Sequence, residues 1–218
     1  MPDRLFSTTA LVAGSLAWLA CSTPVAGGGT VLRLPASTAT ASPLDASGRV
    51  HVLIEIPAGT NQKWETAKDG RSIVWQPLDD GTRRVVAYLP YPGNYGMVPG
   101  TRLAREGGGD GDPLDVLLLG PARERGELVA AKCIGVLVMT DDGERDDKLL
   151  AVDTDGPFRD VDDVTQLDER FPGTTAILAT WFSRYKGADR VVIEGLRGRS
   201  AALTMVEAAT LATPPPTR

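Results

Sequence analysis

The chain has 218 residues, of which 42% are hydrophobic and 23% charged, a composition that fits one globular domain with a full apolar core and argues against disorder. Its net charge of -5 at pH 7 argues against a nucleic-acid partner, since affinity for a phosphate backbone comes from clustered Lys and Arg. One histidine and two cysteines leave no histidine-based metal site, zinc cage or disulfide framework.

In chain order, Leu11 to Ala20 is an apolar run preceded by Arg4, of signal-peptide length and too short to span a bilayer as a helix. It reads as an export signal over residues 1–21. Leu19-Ala20-Cys21 resembles the lipobox of bacterial lipoproteins, which implies a lipid anchor on Cys21 and a periplasmic or envelope-bound location; simple cleavage and a cytoplasmic start are the alternatives. Residues 22–47, rich in Gly, Ser, Thr, Ala and Pro, read as a linker, with the folded domain over 48–213 and a short tail over 214–218. Val50 to Ile56 is a strand that ends at Pro57 and places His51 on its polar face. Strand-like runs follow at Ser72–Trp75, Arg84–Leu89, Val116–Leu119, Val129–Met139 and Leu149–Val152, separated by turns rich in Gly, Pro and Asp. That spacing predicts a mainly β fold, a closed barrel or a sandwich. Cys133 falls inside an apolar run and reads as a buried thiol. Helical spacing appears late: Ile177, Leu178, Trp181, Phe182 and Tyr185 mark a helix over Thr174–Lys186 that starts after Pro172-Gly173. A second helix over Ser200–Leu211 stops before Pro214.

The acids are unevenly placed. Between Glu106 and Arg170 stand 18 Asp plus Glu against 7 Lys plus Arg. Asp110, Asp112 and Asp115 lie within six residues around a Gly-Pro turn, and adjacent carboxylates cannot be buried together without cations. They face water or hold metal, and an all-oxygen set suits Mg²⁺, Mn²⁺ or Ca²⁺. The spacing does not fit an EF-hand loop. A second acidic turn, Asp141 to Lys148, follows the long apolar run and places its acids at the rim of the same sheet. Two such turns that converge would make a two-metal site suited to displacement at phosphorus.

Asp110-Gly111-Asp112-Pro113-Leu114-Asp115-Val116 resembles the signature of the family I inorganic pyrophosphatases. Further blocks follow in that family's order: Ile54-Glu55-Ile56-Pro57, Lys63-Trp64-Glu65, Tyr91-Pro92-Gly93-Asn94-Tyr95-Gly96, Gly135 to Asp141 with Asp146 and Lys148, and Tyr185-Lys186. The likeness spans about Val50 to Gly195. The fold it implies is an α+β, mainly β one: a five-stranded OB-like closed barrel flanked by two α-helices. The activity it implies is Mg²⁺-dependent hydrolysis of pyrophosphate to two orthophosphates by direct attack of a metal-activated water or hydroxide, with Mn²⁺ or Zn²⁺ as possible substitutes and a homo-oligomer as the assembly.

Position by position, the resemblance makes Asp110, Asp115 and Asp146 the ligands of the tightest metal and Asp115 the bridge to a second. It makes Glu55, Asp141 and Asp146 ligands of the ions that arrive with substrate, and Asp112 the general base. Lys63, Arg84, Lys148 and Lys186 would supply charge to the phosphates, and Tyr95 and Tyr185 phenolic donors. The adjacent Arg83 fits the Arg84 role equally well at this level. Val138 stands where many members place a lysine, and Trp64 where many place a tyrosine. Two other readings stay open: an envelope lipoprotein whose acidic turns bind Ca²⁺ structurally, and an OB-like module that binds a polyanion without cleaving it.

Overall fold

The computed structural model describes residues 29–104, 109 and 111–211. The expected signal segment with Cys21, the tail 214–218 and Asp110 lie outside the described residues.

Five strands close on themselves. They are β2 (Val50–Ile56), β5 (Asn94–Met97), β6 (Asp115–Leu119), β7 (Leu128–Asp141) and β9 (Lys148–Val152), given the numbers they hold in chain order. β2 pairs with β5, β5 with β6, β6 with β9, β9 with β7, and β7 again with β2, so every strand of the ring has two neighbours. Closure removes the unpaired edges that an open sheet would leave. Only the β6–β9 contact is parallel. The 14 residues of β7 make this possible: one end pairs with β2 and the other carries β10 (Val191–Gly198) along its outer side. This ring is the five-stranded closed sheet that the resemblance implies.

Both faces of the ring strands are covered, which explains why β6 and β9 read as unbroken apolar runs. Val116, Leu118, Leu149 and Ala151 face a cluster completed by Ala202 and Val206 of α4 (Arg199–Ala209). Leu117, Leu119, Leu150 and Val152 face another, completed by Leu178, Trp181 and Phe182 of α3 (Thr174–Arg184). The two-residue period of a strand then assigns Asp115 and Lys148 to the α3 side, since each lies two residues before a member of that set.

Outside the ring, β1 (Val31–Arg33), β4 (Ser72–Trp75) and β3 (Trp64–Thr66) form a three-stranded sheet, and β8 (Glu144–Arg145) folds back on the end of β7. The segment expected to be a linker thus carries a strand paired with β4, a helical turn α1 (Ala36–Ala39) and a bridge from Leu44 to Val50. Among the described residues there are four helices where two were expected. The additional full helix is α2 (Val164–Arg170), too short and with too few apolar residues to show a period. Its N-cap Asp163 accepts from the Thr165 amide at 3.0 Å and from the Arg199 amide at 2.7 Å, so one carboxylate caps α2 and α4 together. Arg84–Leu89 is not a continuous strand: its backbone meets Gln62 at an isolated bridge from Val85, and Arg84 and Val86 make single hydrogen bonds to Lys63, Gln76 and Asn61 that build no ladder.

Candidate active site

The ends of four ring strands deliver the charged residues to one place. β2 supplies Glu55, β6 begins at Asp115, β7 ends at Asp141, and β9 begins at Lys148. β5 contributes Tyr95, and the β8–β9 turn Asp146.

Lys148 is the hub. It is 1% exposed, and its Nζ lies 2.6 Å from Asp115 Oδ2 and in contact with Asp146 Oδ1. Burial opposes its charge, but Asp115 and Asp146 outweigh burial and raise its pKa. The converse holds for Asp115: burial works against ionisation, yet Lys148 and Lys63, with the Tyr95 phenol, keep its carboxyl below the usual range. Lys148 Nζ also lies 6.0 Å from the centre of the Tyr95 ring, and Lys63 Nζ lies 5.0 Å from it.

Glu55 is 4% exposed, and its Oε1 accepts from the Thr66 amide at 2.6 Å. Burial raises its pKa to about 7, against the pull of Lys63 and the Thr66 hydrogen bond. Across the site, Lys186 pairs with Asp141 Oδ2. Burial, and then repulsion from Arg84, Lys63 and Arg190, lower the Lys186 ammonium to about 8 despite that partner. The other oxygen, Asp141 Oδ1, is buried without a hydrogen-bond partner, an acceptor left open inside an acidic site.

Tyr185 ends α3 with its ring stacked on Trp181 at 4.8 Å, and burial pushes its phenol well up. Arg84 is half-buried, with Nη1 on Gln76 Oε1 at 2.9 Å, and its charge is felt at Tyr185, Tyr91 and Lys186. Arg83 is exposed, with only a 3.5 Å contact to the Trp75 carbonyl, so alternation turns Arg84 and not Arg83 toward the site. Asp112 is exposed in the turn before β6, where its carbonyl accepts from the Leu103 amide at 2.9 Å.

The expected ligands stand among cations, and one of them, Asp110, lies outside the described residues. Among the described residues no three carboxylates gather as a ready metal cage. Lysines lie among them, Lys148 between Asp115 and Asp146 and Lys186 on Asp141. The acidic turn is also divided: Asp142 points outward to Arg190, while Asp147 is buried and accepts from the Met139 amide at 3.1 Å. One aromatic was missed as a site residue. Tyr91 is 3% exposed, its ring 5.2 Å from that of Tyr95 and 4.6 Å from that of Trp181, and burial and Asp115 push its phenol up. Its place at the head of the Tyr91–Gly96 segment was the available signal.

A closed β ring brings acids, lysines and phenols together at one face. An inorganic pyrophosphatase profile matches residues 52–213. The inorganic pyrophosphatase of Mus musculus is 37% identical over 156 residues, covering 64% of this chain and 53% of that one. The inorganic pyrophosphatase of Gluconobacter oxydans is 34% identical over 143 residues, covering 65% and 76%. The solved inorganic pyrophosphatase from Thermus thermophilus superposes with a TM-score of 0.66 at 31% identity, over 80% of this chain and 97% of that chain. The chain belongs to the soluble family I inorganic pyrophosphatases. It spans about half the length of the mammalian relatives it matches, 53% for the mouse protein.

Proposed function

We propose that the protein hydrolyses inorganic pyrophosphate to two orthophosphates with Mg²⁺. The observation that carries this reading is the interleaving of Asp115, Asp146, Asp141 and Glu55 with Lys148, Lys186, Lys63 and Arg84 on one face of the ring. Calcium storage has no use for the cations, and passive polyanion binding has no use for the acids.

Asp110, Asp115 and Asp146, with Glu55 and Asp141, would hold the metal ions. The donor set fits: it is all oxygen, as a hard cation prefers, and Asp141 Oδ1 is a buried acceptor without a hydrogen-bond partner among the described residues. Bound ions would neutralise phosphate oxygens and acidify the attacking water, and Mn²⁺ or Zn²⁺ would substitute. The chain's own groups account for the rest. Lys63, Arg84, Lys148 and Lys186 hold the substrate's oxygens, and Tyr95 and Tyr185 donate hydrogen bonds; the raised pKa of each phenol keeps it a donor at any working pH. Asp112 takes a proton from the attacking water as its oxygen bonds to phosphorus. The bond from that phosphorus to the bridging oxygen breaks, and the departing orthophosphate leaves with the electron pair, held by the lysines.

Export is part of the proposal, supported by the apolar run Leu11–Ala20 and by Leu19-Ala20-Cys21. Mass spectrometry of the mature N-terminus tests it: a chain that begins at Met1 overturns export. The activity is tested by phosphate release from pyrophosphate in Mg²⁺, then with Ca²⁺ in its place. Release in Mg²⁺ is expected, and its absence across neutral to alkaline pH overturns the reading.

A further inference from the structure

Glu55 sits at an irregularity. β2 slips register against β5 between Ile54 and Ile56, so the ladder does not hold Glu55 in place. Its carbonyl is taken instead by a side chain 70 positions on: Arg125 Nε donates to Glu55 O at 2.9 Å. The backbone beside Arg125 clamps the same bulge. The Gly126 amide donates to the Ile54 carbonyl at 2.7 Å, and the Ile54 amide donates to the Glu127 carbonyl at 2.9 Å.

The Arg125 guanidinium also lies over the Trp64 ring, 4.0 Å from its centre. Trp64 is 5% exposed and stacks on Trp75, with ring centres 5.8 Å apart. It leads β3, directly after Lys63 and two residues before Thr66, whose amide donates to Glu55 Oε1. One planar cation therefore joins the two backbones that present Glu55, Lys63 and the Glu55 hydrogen bond. Arginine suits this role because its fork donates at the edge while its face stacks. A lysine offers only a point charge.

We propose that Arg125 is a positioning residue which, through the Glu55 carbonyl and the Trp64 ring, fixes the Glu55 carboxylate for the cation that accompanies substrate. The inference rests on the metal role assigned to Glu55 above. A contact that orients a ligand without touching the ion typically alters metal affinity more than fold.

The test measures Mn²⁺ binding by the loss of the free-ion electron paramagnetic resonance signal, with methylenediphosphonate occupying the site and no turnover. Arg125→Met is expected to raise the Mn²⁺ concentration for half-occupancy of the weakest ion by about tenfold. Glu55→Gln is expected to do the same, and the double variant to fall within about twofold of Glu55→Gln alone, since both act through one carboxylate. Unchanged Mn²⁺ affinity in Arg125→Met, or effects that multiply in the double variant, would overturn the proposal. Should Arg125→Met not fold, Arg125→Lys, which keeps the charge but not the planar stack, carries the same comparison with the same outcomes. Wild-type hydrolysis is assayed separately. A chain that binds Mn²⁺ and diphosphonate as described but releases no phosphate counts against the pyrophosphatase reading and not against Arg125.

Discussion

Among the described residues Lys148 is the one buried ammonium, and it joins two carboxylates that would otherwise repel. Arrangements of this kind are costly when one partner is removed. Lys148→Met should therefore destabilise the protein in EDTA by about 2 kcal/mol; partial exposure of both acids keeps this under the ~3–5 kcal/mol of a wholly buried pair. Mg²⁺ should restore much of the loss, read as recovery of the urea midpoint, because a cation can replace the ammonium between Asp115 and Asp146. An equal loss with and without Mg²⁺ would mean that the pair is purely structural. Asp112 makes the opposite case: it is exposed and its assigned task is proton transfer. Asp112→Asn should lower kcat by roughly a hundredfold or more while Mg²⁺ affinity stays within a few-fold, as loss of a general base predicts. Near-normal turnover would remove Asp112 from that role.

At the scale of elements, the positions of the acids depend on strand pairing, and one glycine makes a pairing possible. A Cβ on Gly96 would lie 1.9 Å from the Leu53 carbonyl oxygen, inside the β2–β5 contact that carries Glu55 on one side and Tyr95 on the other. Gly96→Ala should cost at least ~3 kcal/mol, measured by urea denaturation, and lose activity with fold. The strands that were legible in sequence were those buried on both faces, such as Asp115–Leu119 and Lys148–Val152, whose apolar runs need no partner to be noticed. Strand β10 was not legible: half its residues face water, and Glu194 and Arg197 interrupt the run, so only its pairing with β7 defines it. Arg84–Leu89 failed the other way. Its alternation looks extended, but its hydrogen bonds to Asn61, Lys63 and Gln76 do not run on into a ladder, and Val85 and Leu89 are left exposed. Asn94-Tyr95-Gly96 stood out only as part of a block of the resemblance, not among the strand-like runs, and belongs to a ring strand, Asn94–Met97.

At the scale of the whole molecule, the candidate site residues stand in spaced blocks that the sequence shows, whereas the contacts between blocks do not show in it. No spacing rule links Arg125 to Glu55 or Lys186 to Asp141; closure of the ring does that. The same closure isolates Cys133, which is 2% exposed and whose thiol burial raises to about 11. In native protein at pH 8, peptide mapping should find Cys133 unlabelled by a maleimide, and fully labelled once urea opens the ring. Rapid native labelling would mean that the ring opens readily. The central claim is that these acids and cations together cleave a phosphoanhydride. It is tested most directly by counting orthophosphate released from a known amount of pyrophosphate by the purified chain in Mg²⁺. Two orthophosphates per pyrophosphate, abolished by EDTA and nearly abolished in Asp112→Asn, is the predicted result; pyrophosphate recovered intact from folded, Mg²⁺-loaded protein would contradict it.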